Sequence, residues 1–151
     1  MLDDRDRKIL DLLQRDSDAA VHDIAERVHL SPSACSRRIM RLKEEGYIAR
    51  TVAVLDRAKL SLTTTVYCLI KTSQHSADWL DRFRAAVADI PEIVEAQRLA
   101  GNLDYILKIV VKDVAHYDAV YKRLVGRVDV YDVSAYIAME TLKDVGALPI
   151  T

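Results

Sequence analysis

The sequence predicts an α+β chain with a helical N-terminal part and a C-terminal part in which strands and helices alternate. Residues 1–46 carry apolar side chains at the three- and four-residue spacing of amphipathic helices. Residues 64–139 alternate short β-branched runs with helical segments. A chain of 151 residues that is 50% hydrophobic suffices for two small domains. We place the boundary near a short polar stretch, which gives domains of residues 1–60 and 61–151.

The first helix is predicted from about residue 3 to residue 15. Three aspartates, Asp3, Asp4 and Asp6, fall in its first turns, where the helix dipole favours carboxylates. Its inner face is apolar and consists of Ile9, Leu10, Leu12 and Leu13. We expect this helix to support its neighbours and to carry no chemistry of its own.

Residues 31–46 predict a helix with one buried and one basic side. Ser31 is suited to the N-cap, Pro32 to the first helical position, and Gly46 to the left-handed residue after the end. The apolar stripe, at i, i+4 and i+7, consists of Cys35, Ile39 and Leu42. The opposite side consists of Ser33, Arg37 and Glu44, bordered by Met40 and Arg41, with Arg38 at the edge of the stripe.

The segment before this helix makes a nucleic-acid function the better interpretation. A basic helix face by itself is usually only a solvated surface. Here residues 21–28 predict a short helix with Val21, Ile24, Ala25 and Val28 on one side, and a tight turn follows. Two short helices joined by about three residues, the second one basic, form a helix-turn-helix. We therefore expect this DNA-binding motif at about residues 21–40.

Residues 47–55 are β-branched and partly alternating, which predicts an extended strand that serves as a wing or a connector. The C-terminal part then follows the order β-α-β-β-α-β. Its predicted strands cover residues 64–71, 93–99, 105–111 and 130–139. Its helices cover residues 76–90 and 114–125, with Ser76 as an N-cap and Pro91 as a stop. This is the ferredoxin-like arrangement, an antiparallel sheet with two helices on one face.

Both helices of the C-terminal part have a predicted inner face. In the first it consists of Trp79, Leu80, Phe83, Val87 and Ile90, and in the second of Val114, Tyr117, Val120, Tyr121 and Leu124. The first strand is apolar on both sides, with Val66, Cys68 and Ile70 alternating with Tyr67, Leu69 and Lys71. Two helices cover only one face, and an uncovered apolar face is an association surface. We therefore predict a dimer with the sheets facing each other.

Charge and composition restrict the function further. The net charge is −1, yet residues 37–50 hold five basic and two acidic residues, so the positive charge is local. No run approaches a membrane span, and the charged N-terminus is not a secretory signal. The two cysteines, Cys35 and Cys68, lie in apolar contexts and are expected to be reduced core residues, so we expect a cytoplasmic protein that does not bind membranes.

Catalytic patterns are absent from the sequence. The four histidines, His22, His29, His75 and His116, lack metal-ligand spacing, and the cysteines form no ligand pair. There is no Gly-rich phosphate loop and no nucleophile elbow. We expect no enzyme activity, no metal and no cofactor.

Four stretches together resemble one known family. They are LDDRDRKILDLLQRD, DIAERVHLSPSACSRRIMRLKEEGYIARTVAVLD, AGNLDYILKI and AYIAMETLKD. With these the chain resembles the Lrp/AsnC, or feast/famine, transcription regulators over essentially its whole length. The resemblance implies an N-terminal winged helix-turn-helix and a C-terminal ferredoxin-like domain of the RAM type. It also implies dimers that assemble further, commonly to octamers, and a small effector that is usually an amino acid.

The resemblance and the helix periodicity point to nearly the same DNA-binding residues. Base contacts are assigned to Ser33, Ser36, Arg37 and Arg41, and phosphate contacts to Arg38, Lys43 and Arg50, with Ser31 at the start of the helix. A dimer of such motifs reads double-stranded DNA as a pseudo-palindromic operator.

The same resemblance implies an effector site at the turn between the second and third strands. Its residues are Gly101, Asn102, Leu103, Asp104 and Tyr105, together with Tyr136 on the last strand. A glycine turn exposes backbone N–H groups that can hold an α-carboxylate, and Asp104 could pair with an α-ammonium or fix the loop. An ordinary β-turn uses the same residue types.

Two other functions fit this two-domain plan. One is an architectural DNA-binding protein without an effector, which would differ only in its lack of ligand response. The other is an enzyme similar to the sirohaem decarboxylases, which carry a His-x-Tyr-x-Arg stretch. His116 and Tyr117 are adjacent here and lack that spacing.

Overall fold

The computed structural model describes residues 1–144 and 146–150, and the chain forms two compact units. The first consists of Met1–Val54 with the described residues of 142–151, and the second of Leu55–Thr141. No helix in the described part of the chain is both long and apolar enough to cross a lipid bilayer.

The first unit contains three helices, as predicted: α1 (Asp4–Arg15), α2 (Val21–Arg27) and α3 (Pro32–Glu44). Asp3 closes a capping box with Asp6 at the start of α1, and the Ser31 hydroxyl accepts a hydrogen bond from the Ala34 N–H at the start of α3. The buried core of this unit consists of Ile9, Ile24, Ala25, Val28, Cys35, Ile39 and Leu42. It fixes which side of α3 faces outwards.

Two details of the first unit differ from the prediction. Residues 47–55 form no strand, and Val54 is 94% exposed. A strand requires a hydrogen-bonding partner, and the described part of the first unit contains no other strand. The predicted strand was therefore wrong for the single chain. Val21, expected on the inner side of α2, is its first residue and remains exposed because the core lies beyond the first turn.

The second unit confirms the ferredoxin-like order. Its elements are β1 (Thr64–Lys71), α4 (Ala77–Asp89), β2 (Ile93–Arg98), β3 (Tyr105–Val111), α5 (Val114–Val125) and β4 (Asp132–Ile137). The four strands form one antiparallel sheet in the order β2-β3-β1-β4. The outer strands are shorter than predicted, as edge pairing ends at Arg98 and Ile137.

One face of the sheet packs on α4 and α5. Val66, Cys68 and Ile70 of β1 are buried there with Trp79 and Phe83 of α4 and with residues of α5. Val114, predicted inside, is 58% exposed because α5 begins at this residue, beyond the edge of the core.

The opposite face, here called the open sheet face, carries Tyr67, Leu69, Ile106, Lys108 and Tyr136. These residues keep partial or full solvent exposure. One end of this face is covered within the chain, because the Arg57 guanidinium donates to the Leu62 carbonyl and the Thr65 hydroxyl. Thr65 and its register partner Val110 are consequently buried.

Candidate nucleic-acid interface and effector loop

The outward side of α3 presents polar side chains because its apolar stripe is anchored in the core. Cys35, Ile39 and Leu42 are 0%, 8% and 0% exposed. The predicted DNA-contacting residues of its N-terminal half are exposed: Ser31, Ser33, Ser36 and Arg37. Arg37 makes no hydrogen bond or ion pair within the described residues, so its guanidinium is available to a ligand.

Two further arginines of α3 have carboxylate partners at the start of α1, and Arg41 Nε also lies 3.8 Å from Glu45 Oε1. Arg38 Nη1 donates to Asp3 Oδ2 at 2.6 Å and to Asp6 Oδ1 at 2.8 Å. Arg41 Nη2 donates to the other Asp6 oxygen, Oδ2. The Asp6 side chain is 1% exposed, whereas Asp3 is about half exposed at 52%. This cluster, the Asp3–Asp6–Arg38–Arg41 network, joins the first helix to the basic helix.

The network keeps its carboxylates ionised. Burial by itself would raise the pKa of Asp6, but hydrogen bonds from Arg38, the Asp3 backbone N–H and Arg41 outweigh it, and the pKa lies below its usual value. Hydrogen bonds from the Asp6 backbone N–H and from Arg38 lower the pKa of Asp3 to about 2. Hydrogen bonds to the two carboxylates in turn raise the pKa of Arg38.

A shallow depression of about 350 Å³ lies on this part of the first unit. It is lined by Leu30, Ala34, Arg37, Arg38 and Arg41. The depression therefore collects three arginines, of which only Arg37 lacks a carboxylate partner among the described residues. Such a surface can accept a phosphate or a base edge.

The sequence already indicates that Asp6 is buried, although its place in the first turn of α1 also suits a carboxylate that interacts only with the helix dipole. Asp6 precedes Ile9, Leu10 and Leu13 by three, four and seven residues, so it lies on the apolar stripe of α1. A carboxylate on a buried stripe needs a cationic partner. α1 therefore supports α3 through ion pairs with two arginines as well as through apolar packing.

The remaining basic residues predicted for DNA contact lie outside the depression. Lys43 is exposed in the last turn of α3, and Arg50 is exposed in the irregular segment after it. Neither makes an ion pair within the described residues.

The turn between β2 and β3 is held by Asp104. Its Oδ2 accepts a hydrogen bond from the Thr72 N–H at 2.8 Å, and its own N–H donates to the Ile70 carbonyl at 2.9 Å. Gly101 has φ 147°, a conformation that favours glycine, and Gly101 and Asn102 are exposed. Asp104 thus fixes the loop to the end of β1 and leaves the tip free.

The other two predicted effector residues lie apart from the tip. Tyr105 packs on the helix side, with ring centroids 4.6 Å from Phe83 and 5.9 Å from Trp79. Tyr136 lies beside Tyr67, which is three residues along β1 from Ile70. That offset is about 10 Å along the strand, so the single chain does not bring Tyr136 to the turn.

Within the described residues, no group of three or more His, Cys, Asp or Glu side chains is placed to hold a metal ion. Cys35 and Cys68 are buried free thiols, as predicted, and burial raises the pKa of both.

Comparisons with known proteins cover both units. Residues 2–49 match the family described as winged helix-turn-helix DNA-binding, and residues 65–148 match the Lrp/AsnC ligand binding domain. The HTH-type transcriptional regulator Zrp of Zymomonas mobilis is 55% identical over 99% of this chain and 97% of its own length.

Two crystal structures share the whole fold at a TM-score of 0.93. An AsnC family transcriptional regulator from Agrobacterium tumefaciens is 47% identical and covers 98% of this chain and 97% of its own. A transcriptional regulator from Neisseria meningitidis in complex with L-Met is 28% identical, with 99% and 97% covered.

Proposed function

Because the chain belongs to the Lrp/AsnC family of transcriptional regulators, we propose that it reads a specific DNA sequence and that a small effector, an amino acid, modulates its DNA affinity. The observation that carries this proposal is the polar side of α3. That side is exposed, basic and fixed in orientation by a buried apolar stripe. A helix presented in this way suits the DNA major groove.

We assign base reading to Ser33, Ser36 and Arg37 and phosphate contact to Ser31, Lys43 and Arg50. The first three lie in the N-terminal half of α3, the half that meets base edges in helix-turn-helix proteins. Arginine binds the guanine edge through two hydrogen bonds, and serine contacts bases or phosphates. Arg38 and Arg41 stand apart from both groups because they are paired with acidic residues of α1.

Selection of binding sites from a random duplex library tests this assignment. We expect enrichment of a pseudo-palindrome whose half-sites lie about one helical turn, roughly 10 base pairs, or a multiple of it apart. Recovery of no common sequence, with all duplexes bound equally, would contradict sequence-specific reading and favour an architectural DNA-binding role.

The effector part of the proposal rests on the second unit. Residues 65–148 match a ligand-binding domain, and a structural relative over the full chain was crystallised with L-Met. The Gly101–Asn102 tip offers exposed residues beside a turn that Asp104 joins to Thr72 and Ile70 by hydrogen bonds. An amino acid that binds one assembly or domain arrangement better than another shifts that equilibrium and with it the DNA affinity.

A thermal-shift screen against the twenty amino acids tests the effector. A ligand of the folded state raises the melting temperature by an amount set by its concentration relative to its dissociation constant. We expect one chemical group of amino acids to raise it, and to change the affinity for the selected operator. Absence of any shift at millimolar concentration would contradict an amino-acid effector and leave the DNA-binding proposal standing.

A further inference from the structure

We propose that Asp6, helped by Asp3, limits the sequence-independent affinity of this protein for DNA by holding Arg38 and Arg41 away from DNA phosphates, so that Arg37 alone of the three clustered arginines meets DNA. This inference rests on the DNA-reading function proposed above. It gives α1, a helix that carries none of the proposed DNA-contacting residues, a part in setting DNA affinity.

Both carboxylate oxygens of Asp6 are paired with arginines. Its two oxygens accept from two different arginines, Oδ1 from Arg38 at 2.8 Å and Oδ2 from Arg41, and its side chain is 1% exposed. Withdrawing the arginines towards DNA would leave a buried carboxylate without a cation, which is strongly unfavourable. The pairs are therefore expected to persist in the DNA complex.

The charge balance of the depression follows from these pairs. Arg37, Arg38 and Arg41 line it. The carboxylates of Asp3 and Asp6 lie against Arg38 and Arg41, and Glu45 Oε1 lies 3.8 Å from Arg41 Nε. Three carboxylates therefore lie against two of the three arginines, and among the described residues only Arg37 keeps an unpaired charge. Phosphate attraction is independent of sequence, so neutralising two arginines lowers affinity for every duplex alike and leaves the base contacts of Arg37 to discriminate.

Asp6→Asn tests the proposal because it removes the charge and keeps the shape. Binding to a selected operator and to a duplex of unrelated sequence is measured at several salt concentrations. Each freed arginine that meets a phosphate should steepen the salt dependence by about 0.9 in log–log slope. Arg38 keeps Asp3 as a partner at 2.6 Å, so Arg41 is the arginine that Asp6→Asn releases. For a fourfold rise in salt one released arginine means an extra loss of affinity of about 3.5-fold. Affinity for both duplexes should rise together at low salt, and their ratio should stay the same, because phosphate contacts do not depend on sequence.

Asp11→Asn is the matched control. Asp11 is also a carboxylate of α1, but it pairs with Arg15 on the same helix and not with α3. It should leave the slope and the affinity for both duplexes unchanged. If Asp6→Asn keeps the helical circular-dichroism spectrum and its slope equals that of Asp11→Asn, the network is only structural and the proposal is wrong.

Arg41→Gln tests whether Arg41 contacts phosphate in the native protein, and it keeps the Arg38–Asp6 pair. Because Arg41 is held by Asp6 in the native protein, the operator slope should not change. A slope that becomes shallower by about 0.9 would show that Arg41 contacts phosphate and would overturn the proposal, whether or not Asp6→Asn folds. Equal affinity of the native protein for both duplexes would instead contradict the DNA-reading function itself.

Discussion

Arg37 is the residue on which we expect recognition of the DNA sequence to depend most. It is exposed, it belongs to the N-terminal half of α3, and it has no partner among the described residues. We expect Arg37→Ala to lower discrimination against the wrong base by about 1–3 kcal/mol at one operator position. Lys43→Ala is the comparison, since loss of a phosphate contact weakens all sequences alike. Binding-site selection that returns the native base preference with Arg37→Ala would remove Arg37 from the reading role.

Asp3 links the stability of the first unit to acid pH. Its pKa is about 2 in the folded protein and 3.8 without its partners, so the folded state favours the ionised form. The contribution is therefore fully present above pH 3.8 and is lost as pH falls towards 2. In Arg38→Gln this loss should be smaller, because the guanidinium no longer lowers the pKa. Urea unfolding between about pH 5 and pH 2 measures it. An identical pH dependence in both proteins would contradict this account of the Asp3 pKa.

Asp104 should matter for the effector and not for DNA. Its carboxylate is the acceptor for the Thr72 N–H, so Asp104→Ala leaves that N–H unpaired and frees the turn. We expect the response to the effector to be lost while operator binding without effector survives. Asp132→Ala, an exposed carboxylate at the start of β4, is the control and should respond normally. Unchanged effector affinity by calorimetry in Asp104→Ala would exclude the turn from the effector site.

At the scale of elements, two serine caps permit a matched comparison. Ser31 caps α3 by accepting from the Ala34 N–H, and Ser76 caps α4 by accepting from the Trp79 N–H. Replacement of either by alanine should lower the stability of its own unit by about 1 kcal/mol. Only Ser31→Ala should also weaken operator binding, because only α3 carries the reading residues and Ser31 is itself assigned a phosphate contact. Calorimetric melting and a binding titration separate the two effects. Equal loss of DNA binding in both variants would show that stability alone controls it.

The sequence predicted those elements that local rules determine. Caps at Ser31 and Ser76, the stop at Pro91 and the turn at Gly101 are signals within a few residues, and β1, β3, α3 and α5 lie within a residue of their predicted ends. Features that depend on distant residues were missed. Residues 47–55 look like a strand, but a strand forms only when a partner strand is present.

In the candidate sites, too, the features set by nearby residues were predicted and those set by distant residues were missed. Exposure of Ser33, Ser36 and Arg37 followed from helix periodicity, because it depends only on where the apolar stripe points. The pairing of Arg38 with Asp6 spans 32 positions and that of Arg41 with Asp6 spans 35, and no periodicity within one helix predicts such a contact. The separation of Tyr136 from the turn follows from strand register, which depends on pairing between strands.

For the whole molecule, the open sheet face makes association the expected state. Tyr67, Leu69 and Ile106 lie on it at half-buried positions, and the two helices of the second unit pack on the opposite side of the sheet. A face of this kind loses apolar contact with water when a second copy covers it. We propose that dimers form through this face and assemble further, and we expect sedimentation velocity at micromolar concentration to show a dimer or a larger species.

Leu69→Lys places a charge in the middle of the open sheet face and should shift the protein towards the monomer. Val114→Lys is the control, because Val114 is an apolar residue that is 58% exposed at the start of α5, away from this face. A dimer reads two half-sites at once, so loss of dimerisation should also lower operator affinity far more than affinity for a single half-site. If the native protein sediments as a monomer, or if both variants dissociate alike, the sheet face is not the interface and a pseudo-palindromic operator loses its structural basis.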